Sequence, residues 1–343
     1  MNGSSRFVAV NPYHFLAETN DFSTRAAMRR IAAYFRSLKE GGFAGVLWSA
    51  SVSGMALHHT RVGTPFGGDP RRLGRLVEAI FREVDVLEAA CAAARDATLE
   101  ILADFRLYDD YFPGLGSRFE AAHQEMLWES RCGEFRLRGV LSLAYETVYS
   151  YRLQALEEVA GYTADGVVID LDTCVAPLTP FRRRDFFGFN APIADTHRSR
   201  TGEDIRAFDD VRYGRGPDLQ IVDAEYVGGA FNRAIWHAVK GASLERFLSA
   251  ASKMLKNSGR RVGFLRGRDE GILPMARMKL SEDKWLADGI VDDVFLARGA
   301  GEDKDTAVYL AAKRPGSRII SGANEDVDGS IVDYRELQGN QGD

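Results

Sequence analysis

The sequence is poor in the residues that cross-link small secreted domains or bind transition metals. Its 343 residues include only three cysteines and six histidines. Cys91, Cys132 and Cys174 are too few and too irregularly spaced for a disulfide framework, and no two have the Cys-x-x-Cys spacing of a zinc site. No two histidines have the i, i+4 spacing of a helical metal site. We therefore expect a protein of the reducing cytoplasm that uses no metal and no other cofactor.

The chain also lacks the surplus of basic residues that nucleic-acid binding requires. Its net charge is -5, and acidic and basic residues are interspersed. No apolar stretch approaches the roughly 20 residues of a membrane-spanning helix, and the N-terminus has no signal-peptide pattern. The glycine-rich segments 63–68 and 214–217 match neither the P-loop nor the dinucleotide-binding motif. We expect neither a nucleic acid nor a membrane as a partner.

Strand-like apolar segments alternate with helical segments, which is typical of βαβ units in a parallel sheet. Strands are predicted at residues 7–11, 44–49, 99–105, 166–171, 261–265, 293–296 and 318–321, with a weaker eighth near 330–334. Helices are predicted at residues 24–38, 71–97, 147–160, 244–256 and 306–313. This order predicts an α/β fold, a (β/α)8 TIM-type barrel that is either complete or shortened and divergent at its C-terminal end.

The connections between these segments differ in length. Predicted helix-to-strand links are short, whereas strand-to-helix links are long, above all residues 173–243. In a barrel, the long links emerge at the carboxyl ends of the strands, where active sites lie. No repeat and no linker-like segment divides the chain. We expect a single domain over residues 1–337 and a frayed tail over residues 338–343.

The fourth predicted strand ends in two carboxylates. Val168, Asp170 and Asp172 share one face because side chains alternate along a strand, and the Cα atoms of the two acids lie roughly 6 to 7 Å apart. A buried carboxylate is costly unless something there requires it. At the carboxyl end of a barrel strand, such a residue usually belongs to catalysis or ligand binding. The alternative is a structural salt bridge, to Arg106 or Arg266.

Six segments also follow one another in a recognisable order. They are residues 104–114 (DFRLYDDYFPG), 141–152 (LSLAYETVYSYR), 162–170 (YTADGVVID), 187–192 (FGFNAP), 202–205 (GEDI) and 285–293 (WLADGIVDD). Together they resemble the glycosyl-hydrolase-like (β/α)8 barrels of bacteria, distant relatives of amylase-type and other retaining glycosidase barrels. The resemblance implies a hydrolase that acts on a carbohydrate or a similar polyhydroxylated substrate.

Glycoside cleavage normally requires two carboxyl groups, roughly 5 to 5.5 Å apart for retention and roughly 6.5 to 9.5 Å apart for inversion of configuration. Asp170 and Asp172 supply one of these groups or both. The second is expected at the end of the fifth predicted strand, at Asp269, or at the end of the seventh, at Glu325. These four acids are the predicted catalytic residues.

Polar and aromatic residues near the predicted strand ends form the expected substrate-binding set. An arginine beside a carboxylate can hold a hydroxyl-rich ligand, and aromatic rings suit the apolar faces of sugars. The candidates are Asn11, Tyr13, Trp48, His58, Asp104, Arg106, Tyr108 and Arg266. For Trp48 the alternative is a place in the core, and for Asp104 with Arg106 it is an internal salt bridge.

Two other functions fit the same residues. A catalytically silent barrel that binds a sugar or a protein would lack a correctly spaced second carboxylate. A lyase or aldolase-type barrel could use Asp104, Asp170 and Asp172 as oxygen ligands to Mg²⁺. The spacing of the carboxylates distinguishes the first of these from a hydrolase, and the effect of a chelator on activity distinguishes the second.

Overall fold

The computed structural model describes most of the chain, including all strands of the barrel. The described ranges are residues 5–112, 114–171, 187–207, 211–215, 221–226, 233–266, 278–296, 302–322 and 327–334.

Eight parallel strands form a closed barrel in which the strands follow one another in sequence order. They are β1 (Ser5–Val10), β2 (Gly45–Ser49), β3 (Glu100–Arg106), β4 (Gly166–Asp170), β5 (Arg261–Arg266), β6 (Asp293–Leu296), β7 (Arg318–Ser321) and β8 (Gly329–Asp333). β8 pairs with both β7 and β1 and so closes the ring. The predicted (β/α)8 fold is confirmed, and the weakly predicted eighth strand is present.

Helices connect most of the strands and surround the barrel. They are α1 (Pro12–Ala17), α2 (Thr24–Glu40), α3 (Arg72–Glu83), α4 (Val86–Ala97), α5 (Arg118–Ala122), α6 (Glu146–Ala160), α7 (Ala191–Thr201), α8 (Arg233–Asn257), α9 (Glu282–Ala287) and α10 (Glu302–Ala312). Only residues 322–328 separate β7 from β8. No helix in the described ranges combines the length and the apolar character needed to cross a membrane.

Three helix predictions were wrong in their bounds, and one of them, over residues 306–313, begins earlier at Glu302. The helix predicted over residues 71–97 is divided into α3 and α4, because Val84 is extended and Asp85 caps α4 by accepting hydrogen bonds from the N–H groups of Leu87 and Glu88. The helix predicted from Leu244 begins earlier, with α8 already helical at residue 233.

Short strands and one 3₁₀ turn lie in the long links at the carboxyl ends of the barrel strands. They are Ser51–Val52, Met55–Ala56, Thr64–Pro65, Tyr111–Phe112, Leu115–Gly116, Gln124–Met126 (3₁₀), Leu127–Glu129, Arg136–Leu141, Val211–Arg215 and Ile221–Tyr226. The link from β3 to α6 folds back on itself, because Leu127–Glu129 and Arg136–Leu141 pair antiparallel. The links that the sequence left without structure therefore contain small sheets of their own.

Alternating side chains divide each barrel strand between two cores. The interior of the barrel is filled by a cluster of six buried residues, namely Phe7, Leu47, Leu102, Val168, Phe295 and Ile320. Residues of the opposite face, among them Val46 and Ile169, join the larger core beneath the surrounding helices. The barrel is packed rather than hollow, as is usual for this fold.

Ion pairs fill the interior at the amino ends of the strands. Arg318 donates to Glu100 Oε2 at 2.6 Å and to Asp293 Oδ1 at 2.8 Å, and Arg261 donates to Asp293 Oδ2 at 2.9 Å. Burial acts to raise the pKa of Asp293, but hydrogen bonds from Arg318 and Arg261 hold this pKa below its ordinary value. These residues occupy the amino end of the barrel with a structural network, which leaves the carboxyl end for a functional site.

Candidate functional site

Polar side chains gather on the inward face at the carboxyl ends of three adjacent strands. Ser49, Asp104 and Asp170 each follow an interior apolar residue by two positions, so they point inward at the mouth of the barrel. Ser49 and Asp104 are register partners on β2 and β3, and Arg106 and Asp170 are register partners on β3 and β4. The closed barrel thus brings together four polar residues from three strands that lie far apart in the sequence.

Asp104 and Asp170 are hydrogen-bonded through their carboxyl groups. Two carboxylates cannot form such a bond unless a proton lies between them, because an ionised carboxyl group only accepts. Burial raises the pKa of Asp104, while Arg106, Ser49 and Asp170 act in the opposite direction. Burial outweighs these three effects, so the pair retains a proton above the ordinary pKa of an aspartate.

Arg106 lies at the centre of three carboxylates. Its Nε is 3.5 Å from Asp170 Oδ2 and 3.8 Å from Asp104 Oδ2, and its Nη1 is 3.3 Å from Asp109 Oδ2. The Arg106 side chain is 22% exposed, against 9% for Asp104 and 4% for Asp170. A ligand that approaches the two acids therefore meets the guanidinium first.

The expected salt bridge is present in this cluster, and it involves Arg106 rather than Arg266. Arg266 alternates outward from β5, because its neighbour Leu265 packs inside the barrel. Its guanidinium Nη1 lies 3.7 Å from Glu282 Oε2 on α9. This placement argues against the predicted substrate contact of Arg266.

Two members of the cluster, Ser49 and Asp109, were not predicted from the sequence. Ser49 donates a hydrogen bond of 2.6 Å from its Oγ to Asp104 Oδ2. Asp109 accepts a hydrogen bond of 3.3 Å from the N–H of Ser53 and thereby joins the link after β2 to the link after β3. The position of Ser49 two residues beyond Leu47 on β2 was a usable signal, whereas nothing in the local sequence distinguished Asp109.

Several predicted catalytic acids lie outside the described residues. They are Asp172, Asp269 and Glu325. Among the described residues, Asp333 is a further acid at the mouth that the sequence analysis did not select. It ends β8, two residues beyond Ile331, which packs in the barrel interior, and it is exposed. In a ring of eight strands, β8 lies opposite β4, so Asp333 and Asp170 stand across the mouth from each other.

Two aromatic candidates belong to the core. Trp48 is fully buried on the outward face of β2, with ring centroids 5.9 Å from Phe15 and 5.7 Å from Phe35. Tyr108 is buried as completely and packs in the same core. Neither side chain can reach a substrate in this arrangement, so their predicted role in binding does not fit the structure.

His58 lies on the outside of the barrel. Its ring packs edge-on against Tyr162, which follows α6 before β4 begins, and its Nδ1 is 3.1 Å from the carbonyl oxygen of Ala50. Burial lowers the pKa of His58, which favours the neutral ring. This location also argues against the predicted substrate contact.

Asn11 and Tyr13 do lie at the carboxyl end of β1, where they make structural contacts. Asn11 caps α1 by accepting a hydrogen bond of 3.0 Å from the N–H of Tyr13. The hydroxyl of Tyr13 donates to Asp69 Oδ2 at 3.0 Å and accepts from Arg71 at 3.1 Å. Of the predicted binding residues, Asp104 and Arg106 are the ones that the structure brings to Asp170.

Comparison with known proteins finds similarity in structure but not in sequence. No protein-family model matches the chain, and no curated protein is recognisably related to it. Among solved structures, the glycoside hydrolase domain of PgaB (BpsB) from Bordetella bronchiseptica matches with a TM-score of 0.51 and 13% identity, over 90% of this chain and 80% of that one. The chain shares the barrel fold of that domain. The expected resemblance to glycosidase barrels is confirmed at the level of the fold.

Two further glycosidases match less well. The catalytic domain of β-amylase from Paenibacillus polymyxa has a TM-score of 0.49 and 12% identity, over 94% of this chain and 86% of that one. The GH20 exo-β-N-acetylglucosaminidase from Vibrio harveyi has a TM-score of 0.47 and 10% identity, over 93% of this chain. This chain spans 40% of the length of the Vibrio enzyme.

The described residues contain no group of three or more His, Cys, Asp or Glu side chains arranged to hold a metal ion. Asp104, Asp109 and Asp170 surround the guanidinium of Arg106. Their negative charge is thus partly balanced within the protein.

Proposed function

We propose that the chain is a glycoside hydrolase that acts on a carbohydrate or a similar polyhydroxylated substrate by carboxylate acid/base catalysis, with Asp170 as the proton donor. The observation that carries this proposal is the Asp104–Asp170 pair, which retains a proton at the carboxyl ends of two adjacent barrel strands. Cleavage of a glycosidic bond needs a proton for the departing oxygen. A carboxyl group that stays protonated near neutral pH can supply it.

The neighbours of Asp170 suit it to this task. The ionised Asp104 keeps the proton on Asp170 before the reaction, because two adjacent carboxyl groups resist losing both protons. When Asp170 transfers its proton to the glycosidic oxygen, the new carboxylate lies 3.5 Å from Arg106 Nε. The Arg106 guanidinium offsets part of the repulsion between the Asp104 and Asp170 carboxylates. Asp170 therefore holds its proton before the reaction but can still transfer it.

The second carboxyl group of the mechanism must come from another part of the mouth. Asp104 and Asp170 are in direct contact, whereas the acid and its partner must lie at least roughly 5 Å apart to flank a glycosidic bond. Asp172, Asp269 and Glu325 remain candidates from the sequence. Asp333 joins them because β8 stands across the barrel from β4.

The central test is the replacement of Asp170 by Asn, assayed with a panel of 4-nitrophenyl glycosides and by reducing-end release from polysaccharides. We expect turnover to fall by about 10²- to 10⁴-fold, the usual contribution of a general acid. The melting temperature should change little because Asn is nearly isosteric. Asp96→Asn, an exposed acid near the end of α4, is the control and should retain full turnover.

Three outcomes would contradict the proposal. If Asp170→Asn lowers the melting temperature strongly but keeps full turnover, the residue only forms an ion pair. If the wild type turns over no glycoside but binds oligosaccharides saturably, the barrel is a binding protein. If activity on another substrate class is lost on chelation and restored by Mg²⁺, the lyase or aldolase alternative holds.

The second carboxyl group can be identified with four alanine variants, at Asp172, Asp269, Glu325 and Asp333. In a retaining enzyme, azide can replace the missing nucleophile, so the correct variant should regain turnover and form a glycosyl azide. In an inverting enzyme, no glycosyl-enzyme intermediate exists, and the product has the opposite anomeric configuration from the substrate. Proton NMR of the first product distinguishes the two cases.

A further inference from the structure

Ser49 takes no part in the proposed proton transfer from Asp170, although it contacts the Asp104–Asp170 pair. Its side chain is buried at the end of β2, and its hydroxyl donates to Asp104 Oδ2 at 2.6 Å. A serine hydroxyl has one proton to donate. At this distance the hydroxyl of Ser49 forms a strong hydrogen bond, because its acceptor is the charged carboxylate of Asp104.

The serine makes the two acids unequal. Apart from Asp170, Ser49 is the only group among the described residues that donates a hydrogen bond to Asp104, since Arg106 Nε is 3.8 Å away and Asp104 Oδ1 has no donor. Arg106 Nε lies closer to Asp170 than to Asp104, at 3.5 Å. Without the serine, the closer guanidinium of Arg106 would favour the ionised form of Asp170 over that of Asp104.

We propose that Ser49 is a positioning residue that keeps the shared proton on Asp170, because its hydroxyl stabilises Asp104 as a carboxylate. Loss of the hydroxyl would move the proton toward Asp104 and leave Asp170 ionised beside Arg106. Asp170 could then no longer protonate a leaving group. The consequence for turnover rests on the proposed function, whereas the position of the proton does not.

The position of the proton can be measured without any substrate. We would label the protein with ¹³C at the Asp side-chain carboxyl carbon and follow the resonances against pH, with assignments from Asp104→Asn and Asp170→Asn. In the wild type, Asp104 should give a carboxylate signal at a pH where Asp170 still gives a carboxylic acid signal. In Ser49→Ala, the titration of Asp104 should move up by about 1 to 2 pH units, the equivalent of one hydrogen bond to a charged group.

Two variants serve as controls. Ser49→Thr keeps a hydroxyl at the same position and should restore the wild-type titration of Asp104. Ser142→Ala removes a buried serine hydroxyl that has no hydrogen-bond partner within the described ranges, so it should leave the titration of both acids unchanged. If Ser49→Ala does not fold, Ser49→Cys offers a weak donor of similar size and should give a smaller upward shift.

An unchanged titration of Asp104 in Ser49→Ala would overturn the proposal, as would a wild type in which Asp104 already carries the proton. Turnover gives a separate answer. If a glycoside substrate is found, Ser49→Ala should lower kcat with little change in KM, and Ser49→Thr should recover it. If no glycoside is turned over, the proposed function fails, while the NMR titration still decides the role of Ser49.

Discussion

Asp170 and Arg106 are register partners on β4 and β3, and their side chains meet above the interior of the barrel with Nε 3.5 Å from Oδ2. Register in a parallel pair places both side chains on the same face, so this contact is fixed by the barrel itself. The sequence offered an internal salt bridge and a functional site as alternatives for Asp170. The structure contains the contact between Arg106 and Asp170, and the partial exposure of Arg106 leaves it open to a ligand.

Asp110 should make the stability of the protein depend on pH. It is fully buried and hydrogen-bonded to Arg152, and burial raises its pKa from 3.8 to about 6 although Arg152 acts against the shift. The folded state therefore binds more protons than the unfolded state between these values. The free energy of unfolding should fall as pH rises through this window, by up to about 3 kcal/mol.

Urea unfolding of the wild type and of Asp110→Asn between pH 4 and pH 7 measures this effect. The variant should lose the component due to Asp110, while Glu120, whose pKa burial also raises, contributes with the same sign in both proteins. At pH 7 the variant should also be less stable, by up to about 3 to 5 kcal/mol, because Arg152 keeps a buried charge. Equal pH slopes in the two proteins would contradict the raised pKa of Asp110.

Asp293 should show the opposite dependence. Arg318 and Arg261 hold its pKa below the ordinary value of 3.8, so its stabilising contribution is present above that pH and is lost as pH falls through the folded-state pKa. We expect Asp293→Asn to cost about 3 to 5 kcal/mol at pH 7, since it removes the carboxylate that Arg261 and Arg318 share.

The difference in the free energy of unfolding between the wild type and Asp293→Asn should be measured at pH 7 and below pH 3. That difference should shrink at the lower pH, where the wild-type carboxyl group is protonated as well. Asp288→Asn, an exposed acid at the end of α9, should change stability by less than about 0.5 kcal/mol. A difference that stays constant with pH would show that Asp293 acts through packing rather than charge.

Gly188 should be more sensitive to replacement than Gly202, although both have positive φ. A Cβ at Gly188 (φ 110°) would lie 2.3 Å from Lys240 Cδ and 3.0 Å from the ring of Trp128, whereas a Cβ at Gly202 (φ 79°) meets nothing within 4 Å. Gly202→Ala should therefore cost only backbone strain, about 1 to 2 kcal/mol. Gly188→Ala should cost about 1 to 3 kcal/mol more through overpacking.

Urea unfolding followed by tryptophan fluorescence measures both variants. Trp236 donates to the carbonyl oxygen of Gly188 at 2.9 Å, so Gly188→Ala should also change the native fluorescence, while Gly202→Ala should not. Equal losses of stability in the two variants would mean that the contact with Lys240 relaxes at no cost.

The sequence alone determined the framework of the barrel. Apolar runs of strand length, short links before each strand and long links after it were sufficient for a (β/α)8 fold. They also placed Asp104, Arg106 and Asp170 at strand ends, because alternation and strand length are local properties. Caps such as Asp85 set the exact ends of the helices. A capped end differs from a continuing helix by only a small free energy, so the sequence does not decide between them.

Only the tertiary structure decided which of these residues meet. Alternation tells which residues share a face of a strand but not which face turns inward, so Trp48 and Arg266 were assigned to the mouth although they point away from it. The contact of Asp104 with Asp170 and the donation from Ser49 depend on the register between neighbouring strands, which barrel closure sets. The place of His58 depended on how its loop packs against Tyr162, a contact between residues about a hundred positions apart that no local pattern encodes.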